Sequence, residues 1–406
     1  ESRSRRRPLL RLCRPRTPDP VPPRSSAAVA FGVYVHVPFC VSRCGYCDFN
    51  TYTATELGDA VRRERFHEQL IREIELTARA EPDVPTVDTI FFGGGTPTTL
   101  NPDALGDVLA AIHSQVGISA DAEITTEANP ESVDERTLER LLQAGFTRLS
   151  LGMQSTAAHV LAVLDRTHDP ERALHVAGLA RQVGFAHVSV DLIYGTPGER
   201  EEDLRASLEA VLHAGVDHCS AYALTVEPGT ALARRVARGE IPHPDPDVAA
   251  DRYQLIDEVL TAAGLPWYEI SNWARPGGEC RHNLGYWQGG QWWGIGPGAH
   301  GFGAGERWWN LKHPSAYVAA LAEQRLPRAG SEHLGAGEQH TEAVMLGLRT
   351  REGLPLAAVH ADADLRSLSA DALVDPDALA EGRVVLTRRG RLLADTVIRA
   401  LLPEPT

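Results

Sequence analysis

The stretch Phe39-Cys40-Val41-Ser42-Arg43-Cys44-Gly45-Tyr46-Cys47-Asp48-Phe49 holds three of the chain's six cysteines. Their spacing is Cys-x3-Cys-x2-Cys, and they follow directly on the apolar, strand-like run Val33-Tyr34-Val35-His36-Val37. Three thiolates on one short loop can each hold one iron of a cubane [4Fe–4S] cluster, leaving the fourth iron without a protein ligand. Zinc is the alternative, since thiolates bind it tightly. Structural zinc prefers four protein ligands, usually as two separated pairs, whereas Cys13, Cys219 and Cys280 stand alone. A disulfide framework is disfavoured by sparse cysteine in a long chain in which no secretory segment is read.

Four later stretches extend the pattern: Gly93-Gly94-Gly95-Thr96-Pro97-Thr98, Glu127-Ala128-Asn129-Pro130, Gly152-Met153-Gln154-Ser155 and Asp191-Leu192-Ile193-Tyr194-Gly195-Thr196-Pro197. Together with the cysteine loop, in which Tyr46 is the aromatic before the third cysteine, they resemble the radical S-adenosylmethionine (SAM) proteins. Within these the chain is similar to the oxygen-independent coproporphyrinogen oxidase group, from about Phe31 almost to the C-terminus. The resemblance implies an α/β fold, an open three-quarter (βα)6 barrel carrying a small α-rich C-terminal accessory domain. It also implies that SAM chelates the open iron of the cluster formed on Cys40, Cys44 and Cys47, and that an electron donor reduces this cluster.

Composition sets outer limits. With 406 residues and 43% hydrophobic content the chain is long enough for one large domain and a smaller appended one. We expect residues 1–30 to be a disordered basic leader, 31–330 the radical SAM core with its extension, and 331–406 the accessory domain. The net charge of −14 is unevenly spread: the first 30 residues carry eight arginines against Glu1 and Asp19, a net +6 that leaves −20 for the rest. So acidic a body is a poor binder of nucleic acid through phosphate neutralisation. The leader could be read as a transit peptide, but Pro8, Pro15, Pro18, Pro20, Pro22 and Pro23 would break the amphipathic helix such peptides form. No apolar run approaches the roughly 20 residues that cross a bilayer, so no stable membrane insertion is expected. Reduced cysteines point to the cytoplasm.

Strand and helix patterns then alternate. A helix is expected over Leu57 to Ala80, a strand over Val87 to Phe92, a helix over Pro102 to Gln115, and further pairs down to a sixth strand at Asp217 to Leu224. Alternation of this kind implies parallel strands covered by helices. Chemistry in such folds gathers at the C-terminal strand ends, where the cysteines, Gly93 to Thr96, Glu127, Gln154 and Asp191 all fall. A long helix is expected over Asp247 to Ala263, then a tryptophan- and glycine-rich region to Trp309. A helix around His340 and a strand-turn-helix over Arg383 to Leu401 complete the chain.

The three glycines let backbone approach a ligand without interference from a Cβ. The resemblance assigns SAM binding to Gly94, Gly95, Thr96, Glu127, Gln154, Arg166 and Asp191, with Tyr34 beside the cluster. Arg166 suits a carboxylate, Asp191 or Glu127 suits ribose hydroxyls or an amine, and Gln154 can donate and accept. Each alone is also explicable as a solvated or capping polar residue. Two features separate the branches of the group. The oxidase typically has Gly-Cys after the third cysteine, where Asp48-Phe49 stand here. His282-Asn283-Leu284-Gly285-Tyr286-Trp287 matches the HNxxYW motif of the heme chaperone branch. Accordingly the resemblance implies a heme-binding protein that passes heme to an unidentified acceptor, with His282 as an iron ligand. The alternative function is radical decarboxylation of coproporphyrinogen. On the residues alone, His282 is better explained as part of an aromatic loop packed over the barrel mouth and hydrogen-bonded to backbone.

Overall fold

Strand β1 (Phe31–Val37) is buried at six of its seven positions, as a strand covered on both faces must be. The computed structural model describes residues 30–57, 61–360 and 364–402; all of the expected leader but Ala30 lies outside them. β1 opens a run of six parallel strands that lie side by side in chain order: β2 (Val87–Gly94), β3 (Ile118–Ala128), β4 (Arg148–Gln154), β5 (His187–Tyr194) and β6 (His218–Ala223). Helices Phe66–Ala80, Pro102–Val116, Glu135–Gln143, Pro170–Val183 and Glu201–His213 fill the successive connections. The expected open (βα)6 core is therefore present.

Local chemistry explains where most helices begin. Pro102 and Pro170 occupy the first helical turn, and Asn101, Asp134 and Asp169 cap their helices by accepting from backbone N–H groups of Asp103, Thr137 and Glu171. One expectation needs correction. Helix is found at Ala54–Leu57 and again from Phe66, after a single tight turn at Arg63–Arg65, so the expected helix from Leu57 is interrupted. Arg62 is extended at φ −80° and ψ 108°. The break turns the Phe66 ring onto Phe39, 4.9 Å away edge to face, and beside Tyr317 at 6.0 Å. Packing against distant rings overrides helical periodicity here.

The region from Trp267 to Trp309, left without assigned elements by its sequence pattern, widens the sheet at both edges. β8 (Asn272–Ala274) adds antiparallel to β6, and β7 (Trp267–Glu269) adds antiparallel to β8 at the edge. β9 (Gln291–Ile295) joins β1 in parallel on the other side, followed by β10 (His300–Gly303), β11 (Glu306–Asn310) and β12 (Arg328–His333) as an antiparallel meander. Among the described residues the main sheet has twelve strands and stays open, with β12 and β7 as its edges. Since β12 runs to His333, the sheet continues past residue 330, and the hydrophobic cluster beyond it begins at Val344. That cluster joins Leu354, Leu373, Val384, Val397, Ile398 and Leu401. Its helices are fastened to the barrel by Arg391, which bonds Asp257 at 3.0 and 2.7 Å and lies over the ring of Trp267.

Candidate functional site

Alternate residues of the parallel strands face one cavity of about 440 Å³. Thr125, Glu127 and Asn129 come from β3 and its end; Arg148, Ser150, Gly152 and Gln154 from β4; Ser189 and Asp191 from β5; His218, Ser220 and Tyr222 from β6. The two-residue period is that of a strand with one face inward. It brings polar side chains to the interior level by level, with Glu127 registered beside Ser150 and Asp191 beside Ser220. The cavity mouth is closed on one side by the cysteine loop, which contributes Cys40, Cys44 and Cys47.

The loop is pinned by backbone bonds at several points. Cys40 N–H donates to Tyr52 at 3.0 Å and Tyr52 N–H to Pro38 at 2.7 Å; Gly45 donates to Leu164 at 3.0 Å and accepts from Leu232 at 2.7 Å. A Cβ on Gly45 would sit 2.2 Å from the Asp165 carboxylate, so any side chain there would push Asp165 aside. All three thiols are half-buried, and all are free. Burial, followed by the neighbouring Cys47 and Cys44, pushes the Cys40 thiol up to about 11. Burial also raises Cys47. A metal cation on the loop would therefore have to displace protons that the cation-free loop retains. Among the described residues no three His, Cys, Asp or Glu side chains converge on a single metal-ion position.

Above the loop, the three glycines end β2. A Cβ on Gly95 would lie 2.4 Å from the Phe39 carbonyl oxygen, and Gly94 adopts φ +103° against the His36 ring. Gly95 N–H donates to Val37 at 2.8 Å and Thr96 N–H to Phe39 at 2.7 Å, so the glycine turn and the cysteine loop share one backbone seam. Gly94 N–H donates to Glu127 Oε2 at 3.1 Å. Burial, reinforced by Asp191, raises the Glu127 carboxyl to about 8. Asp191, which accepts from Ser150 Oγ at 3.2 Å, is raised to about 6 by burial. Both respond to an environment that disfavours bare negative charge and would welcome a cationic or hydroxylated ligand.

Gln154 is the most telling of the predicted residues. It follows a register shift in β4, takes the left-handed conformation at φ 61°, and buries a side-chain Oε1 with no hydrogen-bond partner. An orphaned acceptor on a strained backbone, facing a cavity, suits a donor group on a bound ligand. Arg166 plays a different part from that expected. Its guanidinium is engaged with Cys44 Sγ at 3.2 Å, Asn129 Oδ1 at 3.1 Å, the Gly152 carbonyl at 3.2 Å and His168 at 3.2 Å. It braces the cysteine loop and lends positive charge to the Cys44 sulfur rather than presenting a free fork to a carboxylate.

Asn129 links this network to Thr96, donating to its Oγ1 at 2.9 Å. Neither Asn129 nor Ser150, Ser189 and Ser220 was singled out from sequence, although the inward two-residue period could have found the serines.

Tyr34 and His282 are not among the residues lining that cavity. Both line a second pocket of about 750 Å³ that shares Phe49, Phe91, Gly94, Glu127, Tyr222 and Asn283 with the first. The Tyr34 hydroxyl meets His36 Nδ1 at 3.0 Å. His282, expected as an open iron ligand, is 3% exposed and has both ring nitrogens occupied: Nδ1 by Thr89 Oγ1 at 2.9 Å and Nε2 by the Tyr286 hydroxyl at 2.8 Å. Its ring is stacked on Phe91, and a Cβ on Gly32 would press on it at 3.2 Å. Burial lowers it to about 4. It is held as a core histidine. Cys280 is likewise buried, its Sγ 3.5 Å from Glu123.

Residues 34–211 match the model of the Radical SAM superfamily, which implies a [4Fe–4S] cluster and SAM. The chain is 56% identical over 374 residues to a protein of Mycobacterium tuberculosis named heme chaperone HemW, covering 92% of this chain and 95% of that one. It is 33% identical to the Bacillus subtilis protein of the same name, over 91% and 99% of the two chains. Among solved structures, the Escherichia coli coproporphyrinogen III oxidase HemN, a radical SAM enzyme, superposes with a TM-score of 0.77 at 25% identity, covering 92% and 90%. The chain thus belongs to the HemW family, within the radical SAM superfamily and its HemN-like group.

Proposed function

We propose that this protein is a cytoplasmic heme chaperone, binding heme and delivering it to an acceptor protein. The observation that carries the reading is the 56% identity, across nearly the whole of both chains, to a protein named for that role. The seat of the cluster is Cys40, Cys44 and Cys47, with Arg166 holding the Cys44 sulfur and the pinned loop fixing their spacing. SAM is held by the glycine turn at Gly94 and Gly95, by Thr96, and by Glu127, Gln154 and Asp191. The unpartnered Gln154 oxygen and the protonated Glu127 are the features of this chain that fit such a ligand. Bound together, cluster and SAM supply one-electron chemistry.

The residues do the positioning. Glu127 gives up its proton when a cationic amine lies against it, and Asp191, oriented by Ser150, accepts from hydroxyls. Arg166 holds the Cys44 sulfur in place through its guanidinium N–H. An electron donor serves the cluster.

A second reading, coproporphyrinogen decarboxylation, draws on the likeness to HemN. Asp48-Phe49 after the third cysteine counts against it, because the resemblance places Gly-Cys there in the oxidase. Incubating the anaerobically reconstituted protein with coproporphyrinogen, SAM and reductant separates the two. We expect no protoporphyrinogen, together with a Soret band on hemin addition; product formation without heme binding would overturn the chaperone reading.

A further inference from the structure

The second pocket has the make-up of a porphyrin site. Its volume of about 750 Å³ falls in the range of cofactor pockets. Its walls carry Tyr34 and Phe91 from the barrel, Tyr286 and Trp292 from the added segment, and Met345 and Leu346 from the helix Ala336–Gly347. Tyr286 and Trp292 pack edge to face at 4.6 Å, leaving ring faces and edges for a flat apolar ligand. Met345 is 38% exposed, so an apolar side chain stands uncovered on the opposing wall.

Three histidines line this pocket, and hydrogen bonding distinguishes them. His36 is committed through Nδ1 to the Tyr34 hydroxyl at 3.0 Å and through Nε2 to the Asn50 carbonyl at 2.9 Å. His282 is committed to Thr89 and Tyr286, as described. His300, on β10, has no hydrogen bond to either ring nitrogen among the described residues; its imidazole is exposed and stacked beside Trp309 at 6.0 Å. Partial burial together with Arg307 and Lys312, opposed by Glu332, lowers its affinity for a proton, so a lone pair is available at neutral pH. Arg307 in the same pocket is already gripped by Glu332 and Glu342.

We propose that heme seats in this second pocket with His300, not His282, as its axial ligand. The inference rests on the heme-binding reading above and adds the site and the ligand. Binding forms one Fe–N bond from a neutral imidazole nitrogen to ferric iron, displacing water, with no proton or electron lost. A stacked ring with a free lone pair, in a wall of aromatics, needs no rearrangement to do this. His282 would first have to break the hydrogen bond on whichever ring nitrogen turned to the iron, to Thr89 or to Tyr286, in a buried position where a bond is costly to leave unmade.

The test is hemin titration of the full chain, followed by its Soret band and electron paramagnetic resonance, in the wild type, His300→Ala and His282→Gln. His300 is exposed, so its removal leaves the fold intact, and circular dichroism checks both variants. We expect His300→Ala to lose the ligand-bound Soret position, and added imidazole to restore it; His282→Gln, where folded, keeps it. If wild type binds hemin and His300→Ala gives the same spectrum and affinity, the assignment of His300 is overturned while the chaperone reading stands. If a folded His282→Gln alone loses the signature, the ligand is His282 and the proposal fails. If the wild type does not bind hemin at all, the chaperone reading itself falls.

Discussion

Replacing Gly95 with alanine would set a methyl group 2.4 Å from the Phe39 carbonyl oxygen and 2.8 Å from that of Val37. Both obstacles are backbone, so no side-chain rotation relieves them. The seam between the glycine turn and the cysteine loop must open, stretching the bonds from Gly95 to Val37 and from Thr96 to Phe39. Each is worth about 0.5–1.5 kcal/mol, and forced overpacking adds about 1–3 kcal/mol, so a loss of about 2–6 kcal/mol is expected. Gly93→Ala is the matched control. Its new methyl would meet Phe91 Cε1 at 2.9 Å and Glu127 Oε2 at 3.0 Å, both movable ends of side chains, and should cost about 1 kcal/mol or less. Urea denaturation of both variants under anaerobic conditions, with iron and sulfide counted after reconstitution, reads the two consequences together. Gly95→Ala should unfold at clearly lower urea and hold less iron than Gly93→Ala. Equal midpoints and equal iron would refute the claim that this seam sets the cysteine spacing.

Two other perturbations address different parts of the molecule. Arg148 is 1% exposed and bonds Glu123 at 3.0 Å, Ser189 at 3.3 Å and the Gly278 and Glu279 carbonyls at 2.8 and 3.0 Å; Arg148→Met leaves Glu123 buried and uncompensated and should cost about 3–5 kcal/mol by chemical denaturation. A loss under 1 kcal/mol would mean that Glu123 neutralises freely. Buried carboxyls should also make the ligand-free protein sensitive to alkali. Glu127 is raised to about 8, Glu73 and Glu199 to about 7 and Asp191 to about 6. The folded chain then holds more protons than the unfolded one, so this contribution is complete at acid pH, below the carboxyls' unfolded values, and is lost as pH rises to about 8. Melting temperatures of wild type and Glu127→Gln, compared from pH 5 to 9, should converge differently: the variant's curve falls less steeply. Parallel curves would show that Glu127 titrates normally.

The Cys-x3-Cys-x2-Cys loop, the glycine turn and the parallel strands from Val33 to Leu224 carry their signals within a few residues: ligand spacing, a burial pattern, a proline or aspartate at a helix start. The helix Pro102–Val116 starts where expected and ends one residue beyond it. The region from Trp267 to Trp309 was opaque because its strands are short and take their identity from distant partners. β9 is a strand because β1, some 260 residues earlier, offers it a free edge.

Side-chain roles divide along the same line. Residue type and order marked Cys40, Cys44, Cys47, Glu127, Gln154 and Asp191, since strand alternation carries each of the last three to one interior. Only the folded chain decided that Arg166 turns to a cysteine sulfur, that His282 is locked by Thr89 from 193 positions away, and that His300 is left with its ring nitrogens unbound. A motif specifies which groups are available. Whether a nitrogen is free depends on neighbours that strand pairing brings from far along the chain, and that pairing is a property of the whole sheet.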